Sequence, residues 1–178
     1  MQNELLNKIV NQFQIEGEVL SIEPYGEGHI NNTFLVTTEK KRYILQRINT
    51  NVFPDTESLM GNISAVTKYL ENKGIETLHI INAKDGKTYY SGEGCWRIYD
   101  FIENTVSYQI ATDKEMFKSA GYAFGEFMNN LSGFDASVLT ETIKNFQIRP
   151  RDIKLSKRLW KRISWAGRKI ASKRSISF

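Results

Sequence analysis

The stretch 26–33 sets Gly26 and Gly28 two apart and follows them with His29, Asn31, Asn32 and Thr33. Glycine lets an anion come close to the backbone, and successive N–H groups then form a nest around it. The Asn and Thr side chains add donors, so the chemistry open to this stretch is the cradling of a phosphate. The same residue types also build an ordinary hairpin, with Gly and Asn as turn formers. His29 has no second ligand set beside it, so it suits a turn or a supporting role better than a metal site. A second polar pair, Gln46 and Arg47, lies in Tyr43-Ile44-Leu45-Gln46-Arg47-Ile48-Asn49. Period-two alternation puts Tyr43, Leu45 and Arg47 on one face of a strand and Ile44, Gln46 and Ile48 on the other. Two routes to a phosphate contact are open. Gln46 can bind as a neutral donor, or Arg47 can bring a charge through a local bulge. A solvent-exposed edge arginine is the plain alternative.

The elements that must position these residues follow from patterning. Leu5, Leu6, Ile9, Val10 and Phe13 mark one face of an amphipathic helix over 3–13. Strands are expected at 19–25, 32–38 and 42–48, joined by short turns into a meander. Asp55 is placed to cap a helix, with Ser58 in its first turn. Leu59, Ile63, Val66 and Leu70 then recur at helical spacing, and Gly74 ends the helix as a C′ glycine. Further strands are expected at 78–83, at Tyr89-Tyr90 and at 95–101, with Asp85-Gly86 as a hairpin turn between the first two. Asp113 is placed to cap a last helix bearing Phe117, Ala120, Phe124, Phe127 and Leu131. Gly121 and Gly125 beside that face predict close helix packing. The order is helix, three strands, helix, two further strand regions, helix. It predicts an α+β fold built on a five-stranded antiparallel sheet with one helix between strands three and four, which is the plan of a kinase N-lobe.

Taken together, Gly26-x-Gly28-His29-Ile30-Asn31-x-Thr33, then Tyr43 to Asn49, Val52-Phe53, Leu59-Met60, Asn62-Ile63 and Val66-Thr67, resemble the N-acetylhexosamine 1-kinases of the aminoglycoside phosphotransferase and choline kinase superfamily. The resemblance covers roughly the first 146 residues. It implies a two-lobed kinase-like fold, ATP with Mg2+, and phosphorylation of the anomeric hydroxyl of an amino sugar. It also implies that Gly26, Gly28, His29, Asn31, Asn32 and Thr33 face the phosphates. In kinases the third strand brings a basic group to the α- and β-phosphates; here that position aligns with Gln46, an uncharged departure. Asp100, Phe101 and Ile102 fall where such a fold keeps its adenine hinge, which works through backbone groups. The implied division is 1–104 as the nucleotide-binding N-lobe, 105–146 as the start of a truncated helical C-lobe, and 147–178 as a basic tail.

Phosphoryl transfer needs an Asp to take the hydroxyl proton and carboxylates for Mg2+. The superfamily keeps these in a C-lobe His-Gly-Asp loop and a later metal motif. The chain has two histidines, His29 and His79, and neither precedes Gly-Asp. No catalytic residue is assigned, and the metal ligands are expected in the missing C-lobe.

The charge is uneven. From Arg149 onward eleven Lys or Arg face one acid, Asp152, whereas the rest carries 13 basic against 19 acidic residues. Read in the neighbouring frame, the two largely fixed bases of each codon from Gln147 permit a charge-balanced, helix-forming continuation. The tail is therefore expected to be a frameshift product, and the chain an inactive fragment. The rivals are a non-catalytic nucleotide-binding or interaction domain whose tail meets an anionic partner, and a superfamily kinase for choline, homoserine or an aminoglycoside. One cysteine, Cys95, excludes an internal disulfide and suits a reducing compartment. The N-terminus is too polar for a secretory segment, and no apolar run reaches membrane length. The expectation is a cytoplasmic protein that binds a nucleotide and an amino sugar, with no membrane partner and no role for nucleic acid.

Overall fold

In the computed structural model, residues 2–106, 108 and 110–143 are described. Helix α1, Gln2–Val10, forms as its periodicity predicts, but it stops at Val10. Phe13 instead closes a short turn, its N–H bonded to Val10 O at 3.0 Å, and bridges to Ala83. Three strands follow: β1, Val19–Pro24; β2, Asn32–Thr38; and β3, Arg42–Ile48. Helix α2 spans Thr56–Asn72. Three more strands are β4, Ile80–Ile81; β5, Tyr90–Ser91; and β6, Cys95–Asp100. Helix α3 spans Lys114–Asn130, and a 3-10 turn covers Ala136–Val138. All lie in one compact unit, Met1–Thr142. The tail at 147–178 lies outside the described residues.

The α+β expectation holds: one antiparallel sheet runs in the order β1-β2-β3-β6-β4, with β5 also paired to β6. The sheet has six strands rather than five. The expected strand at 78–83 shrinks to two residues. The turn at Asp85-Gly86 does form, with Gly86 N–H bonded to Ala83 O at 2.9 Å and Gly86 at φ 87°. It does not make a hairpin, because β4 and β5 each pair with β6 and not with one another. The true hairpin joins β5 to β6 through residues 92–94, where Glu93 and Gly94 take φ 53° and 110°. A three-residue loop of this kind needs left-handed backbone.

The core lies between α1 and one face of the sheet. Leu6, Ile9, Val10 and Phe13 pack with Phe34, Val36, Tyr43, Leu45, Trp96 and Ile98. Each such side chain contributes roughly 1.5–3 kcal/mol on burial. Tyr43 is fully buried at 0% exposure, and its hydroxyl accepts the Glu16 N–H at 2.8 Å. The opposite face carries Ile44 and Ile48, both buried, as is Met60 of α2.

Asp55 caps α2 as expected, accepting the Ser58 N–H at 2.9 Å. Gly74, at φ 71°, ends it: Gly74 N–H bonds Glu71 O and Ile75 N–H bonds Leu70 O. The buried line of α2 runs through Thr56, Met60 and Leu70, whereas Leu59, Ile63 and Val66 are half-buried. The segment after α3 holds α2 from outside. Asn62 exchanges two hydrogen bonds with the Thr140 backbone, at 2.7 and 2.9 Å. Tyr69 donates to Ser132 O at 2.9 Å.

Helix α3 departs from its reading. Asp113 caps it as expected, accepting the Met116 N–H at 2.9 Å. Yet no residue of α3 is buried, and Phe117 and Phe124 are 67% and 70% exposed. A Cβ on Gly121 or Gly125 would meet nothing within 4 Å, so the close packing predicted there is absent among the described residues. Helical spacing shows which side chains share a face; it says nothing of an element to cover them.

Candidate nucleotide site

The loop 26–31 joins β1 to β2, and its neck is fixed by Tyr25 N–H bonded to Thr33 O at 2.9 Å. Gly26 takes φ 72°, the left-handed region that favours glycine. A Cβ built on Gly26 or Gly28 would meet nothing within 4 Å, so both glycines border open space. A cavity of about 410 Å3 gathers Gly26, Gly28, His29, Asn31, Asn32 and Thr33. The fold thus assembles the whole loop set read from the sequence. Asn31 Oδ1 accepts the Asn49 N–H at 2.9 Å, tying the loop to the end of β3.

Gln46 and Arg47 separate. The registers of β2–β3 and β3–β6 run unbroken through β3, in contrast to the shift between Val19 and Ser21 in β1–β2. No bulge therefore turns Arg47 toward the Gln46 face. Arg47 stays with Tyr43 and Leu45, over the Trp96 ring at 5.7 Å, and lines a second cavity of about 300 Å3 with Ile30, Asn32 and Asn49, sharing Asn32 with the loop cavity. Gln46 lies on the other face and joins the loop, its Nε2 donating to Thr33 Oγ1 at 3.0 Å.

Directly opposite Gln46 in register stands Arg97 of β6. Its Nε and Nη2 donate to Gln46 Oε1 at 3.0 and 2.6 Å, and Nη1 lies 3.9 Å from Met60 Sδ. Arginine has only donors, so Gln46 must turn its oxygen to Arg97 and its amide to Thr33. Burial lowers the Arg97 pKa, against a raising effect of Tyr99; burial likewise raises the Tyr99 phenol. Sequence reading passed over Arg97. Its alternation phase, shared with Tyr99 and opposed to Trp96 and Ile98, was legible, but its register with Gln46 was not.

The hinge residues are placed at the end of β6. Asp100 N–H bonds His79 O and Phe101 N–H bonds Arg42 O, both at 3.1 Å. Those donors are used within the sheet, while Ile102 N–H has no hydrogen-bond partner among the described residues. The Asp100 side chain forms an ion pair with Lys41 Nζ at 3.2 Å and lies in hydrogen-bond contact with His79 Nδ1 at 2.9 Å. The contact to Lys41 is ionic rather than a directed hydrogen bond. For Lys41, burial opposes the charge, and the close contact and charge of Asp100, with Glu16, outweigh it and raise its pKa. Phe101 meets Tyr25 edge-on at 5.7 Å and lies under Arg42 at 4.3 Å, and Arg42 pairs with Glu103. Tyr25 thus links the neck of the glycine loop to the hinge.

The loop cradle fits a nucleotide phosphate: it offers open backbone and Asn and Thr donors. The described residues do not fit Mg2+, since no group of three or more His, Cys, Asp or Glu among them could hold a metal ion.

Residues 21–174 match the phosphotransferase enzyme family. Among solved structures, the chain is similar to a spectinomycin phosphotransferase crystallised with ADP and spectinomycin, with a TM-score of 0.53 and 14% identity over 78% of this chain. The chain spans 40% of the length of that protein. A Ralstonia eutropha protein assigned as an aminoglycoside phosphotransferase matches with a TM-score of 0.46 and 14% identity, over 75% of this chain and 39% of its own.

Proposed function

The chain belongs to the phosphotransferase enzyme family, and on that premise we propose that it supplies the nucleotide-binding half of an ATP-dependent small-molecule kinase. The observation that carries this reading is the loop cavity, which brings all six predicted residues together around two glycines with open space beside them. When bound, ATP supplies the phosphoryl group. The loop amides with Asn31, Asn32 and Thr33 hold the phosphates, Gln46 positions polar donors beneath them, and the hinge at Asp100, Phe101 and Ile102 takes the base through the backbone groups the sheet leaves over, Ile102 N–H among them. The acceptor is an N-acetylhexosamine, phosphorylated at its anomeric hydroxyl; the motif run from Gly26 to Thr67 supports that choice over an aminoglycoside or choline. The site works in a reducing, cytoplasmic setting, as the single cysteine suits. No helix among the described residues is long and apolar enough to cross a membrane.

On the same proposal 1–104 binds nucleotide, 105–146 opens the helical lobe, and 147–178 is frameshifted sequence. The proton-accepting Asp and the metal carboxylates would belong to the helical lobe, and the loop and hinge residues supply nucleotide binding.

Calorimetry with ATP on the full chain tests the site. Gly28→Val places a branched side chain in open space, so the fold is retained to within about 0.5 kcal/mol, while the phosphate approach is blocked. Loss of ATP binding with an unchanged melting curve is expected. ATP affinity untouched by Gly28→Val would place the nucleotide elsewhere.

A further inference from the structure

Arg97 is a cation that the β3–β6 register brings beside the Gln46 end of the glycine loop. It is partly buried, and among the described residues no carboxylate forms an ion pair with it. That is uncommon, because charges drawn out of water are ordinarily paired with an opposite charge. Guanidinium cannot escape by losing its proton. It carries five donors; Gln46 Oε1 takes two, and the third faces the weak acceptor Met60 Sδ. The remaining N–H groups have no partner among the described residues. On α2 the residue in contact is Met60, which is fully buried and uncharged; the acidic residues near the start of that helix, Asp55 and Glu57, are exposed. The cation is also held stiffly. Gln46 fixes it through two hydrogen bonds and is itself fixed to Thr33, a residue that lines the loop cavity. The guanidinium therefore stands two hydrogen-bonded links from the phosphate cradle, charged and without an ion-pair partner among the described residues.

We propose that Arg97 supplies the positive charge that this site sets against nucleotide phosphate, and that Gln46 is the positioning residue that aims it. The proposal rests on the nucleotide-binding reading above. It moves the charge from β3, where kinases carry a basic group for the phosphates, to the neighbouring strand β6. An arginine there presents a planar fork of donors suited to two phosphate oxygens at once.

The test is calorimetry of the full chain with ATP and, separately, with adenosine, which has the base and sugar but no phosphate. Arg97→Gln is expected to weaken ATP by about tenfold, the equivalent of one charge-assisted hydrogen bond, and to leave adenosine unchanged. Arg97→Lys should recover part of the loss. Gln46→Ala should weaken ATP less and keep its salt dependence, because the cation remains. If the wild-type chain binds ATP and Arg97→Gln binds it equally well, this assignment is overturned while the nucleotide site stands. If the wild-type chain binds neither ATP nor adenosine, both fall. A direct readout avoids reliance on folded variants: the Arg97 Nε–H resonance of the wild-type chain should move on addition of ATP or tripolyphosphate and stay fixed with adenosine. An unmoved resonance under ATP binding overturns the assignment.

Discussion

Arg47 and Arg97 sit on adjacent strands one register step apart, yet they face opposite sides of the sheet. That difference sets their expected phenotypes. Arg47→Ala removes a cation from above Trp96, costing roughly 0.5–1 kcal/mol of stability, and should leave ATP affinity where it was. Denaturant melts and ATP titrations of this one variant check both halves. Tyr43 offers a second test at this scale. Tyr43 is fully buried, and its hydroxyl is the acceptor for the Glu16 N–H at 2.8 Å in a part-buried hydrogen bond. Tyr43→Phe keeps the ring and strands the donor, so a loss of about 1–3 kcal/mol is expected. A change near zero would mean that the Glu16 amide finds water instead.

Helix α2 is the element on which the Gln46 and Arg97 face rests, through Met60. Its stability has two separable sources. Leu70 is buried at the C-terminal end, and Leu70→Ala should cost about 2–5 kcal/mol, as a large-to-small change in a core does. Asp55 acts at the other end. Hydrogen bonds from the Ser58 backbone and hydroxyl lower its pKa below the ordinary 3.8. A depressed carboxylate stabilises the fold above its unfolded pKa, and that contribution is lost as pH falls through the lower folded value. Stability should therefore decline between about pH 4 and the folded pKa in the native chain, and decline less in Asp55→Asn, which caps without titrating. Equal acid profiles for the two would remove Asp55 from the account.

At the scale of the whole molecule, the proposal separates binding from turnover. The sequence contains no His-Gly-Asp run, so the purified chain should bind ATP and transfer no phosphoryl group to N-acetylglucosamine or N-acetylgalactosamine. Detectable sugar phosphate from the purified chain would refute the fragment reading. Restoring the reading frame near Phe146 should yield a longer kinase, which sequencing of the locus and a coupled assay of the repaired protein would check. A stop soon after the shifted frame begins would sink that idea.

The elements were legible because local patterning dictates them. Asp55 and Asp113 cap their helices, Gly74 ends α2, and the 26–33 loop falls between two strands, all through interactions a few residues apart. The face division of β3 was legible for the same reason, since alternation is a property of extended backbone. What no local pattern could fix was pairing. The Asp85-Gly86 turn is a sound turn, yet its flanking strands prefer β6, because long-range register decides which backbone groups meet. The fate of α3 was equally hidden, since an apolar stripe records a need for cover and not its supply. Arg97 is the clearest case: its residue type and phase were in plain view, but only the β3–β6 register sets it against Gln46 and so gives the glycine loop a charge.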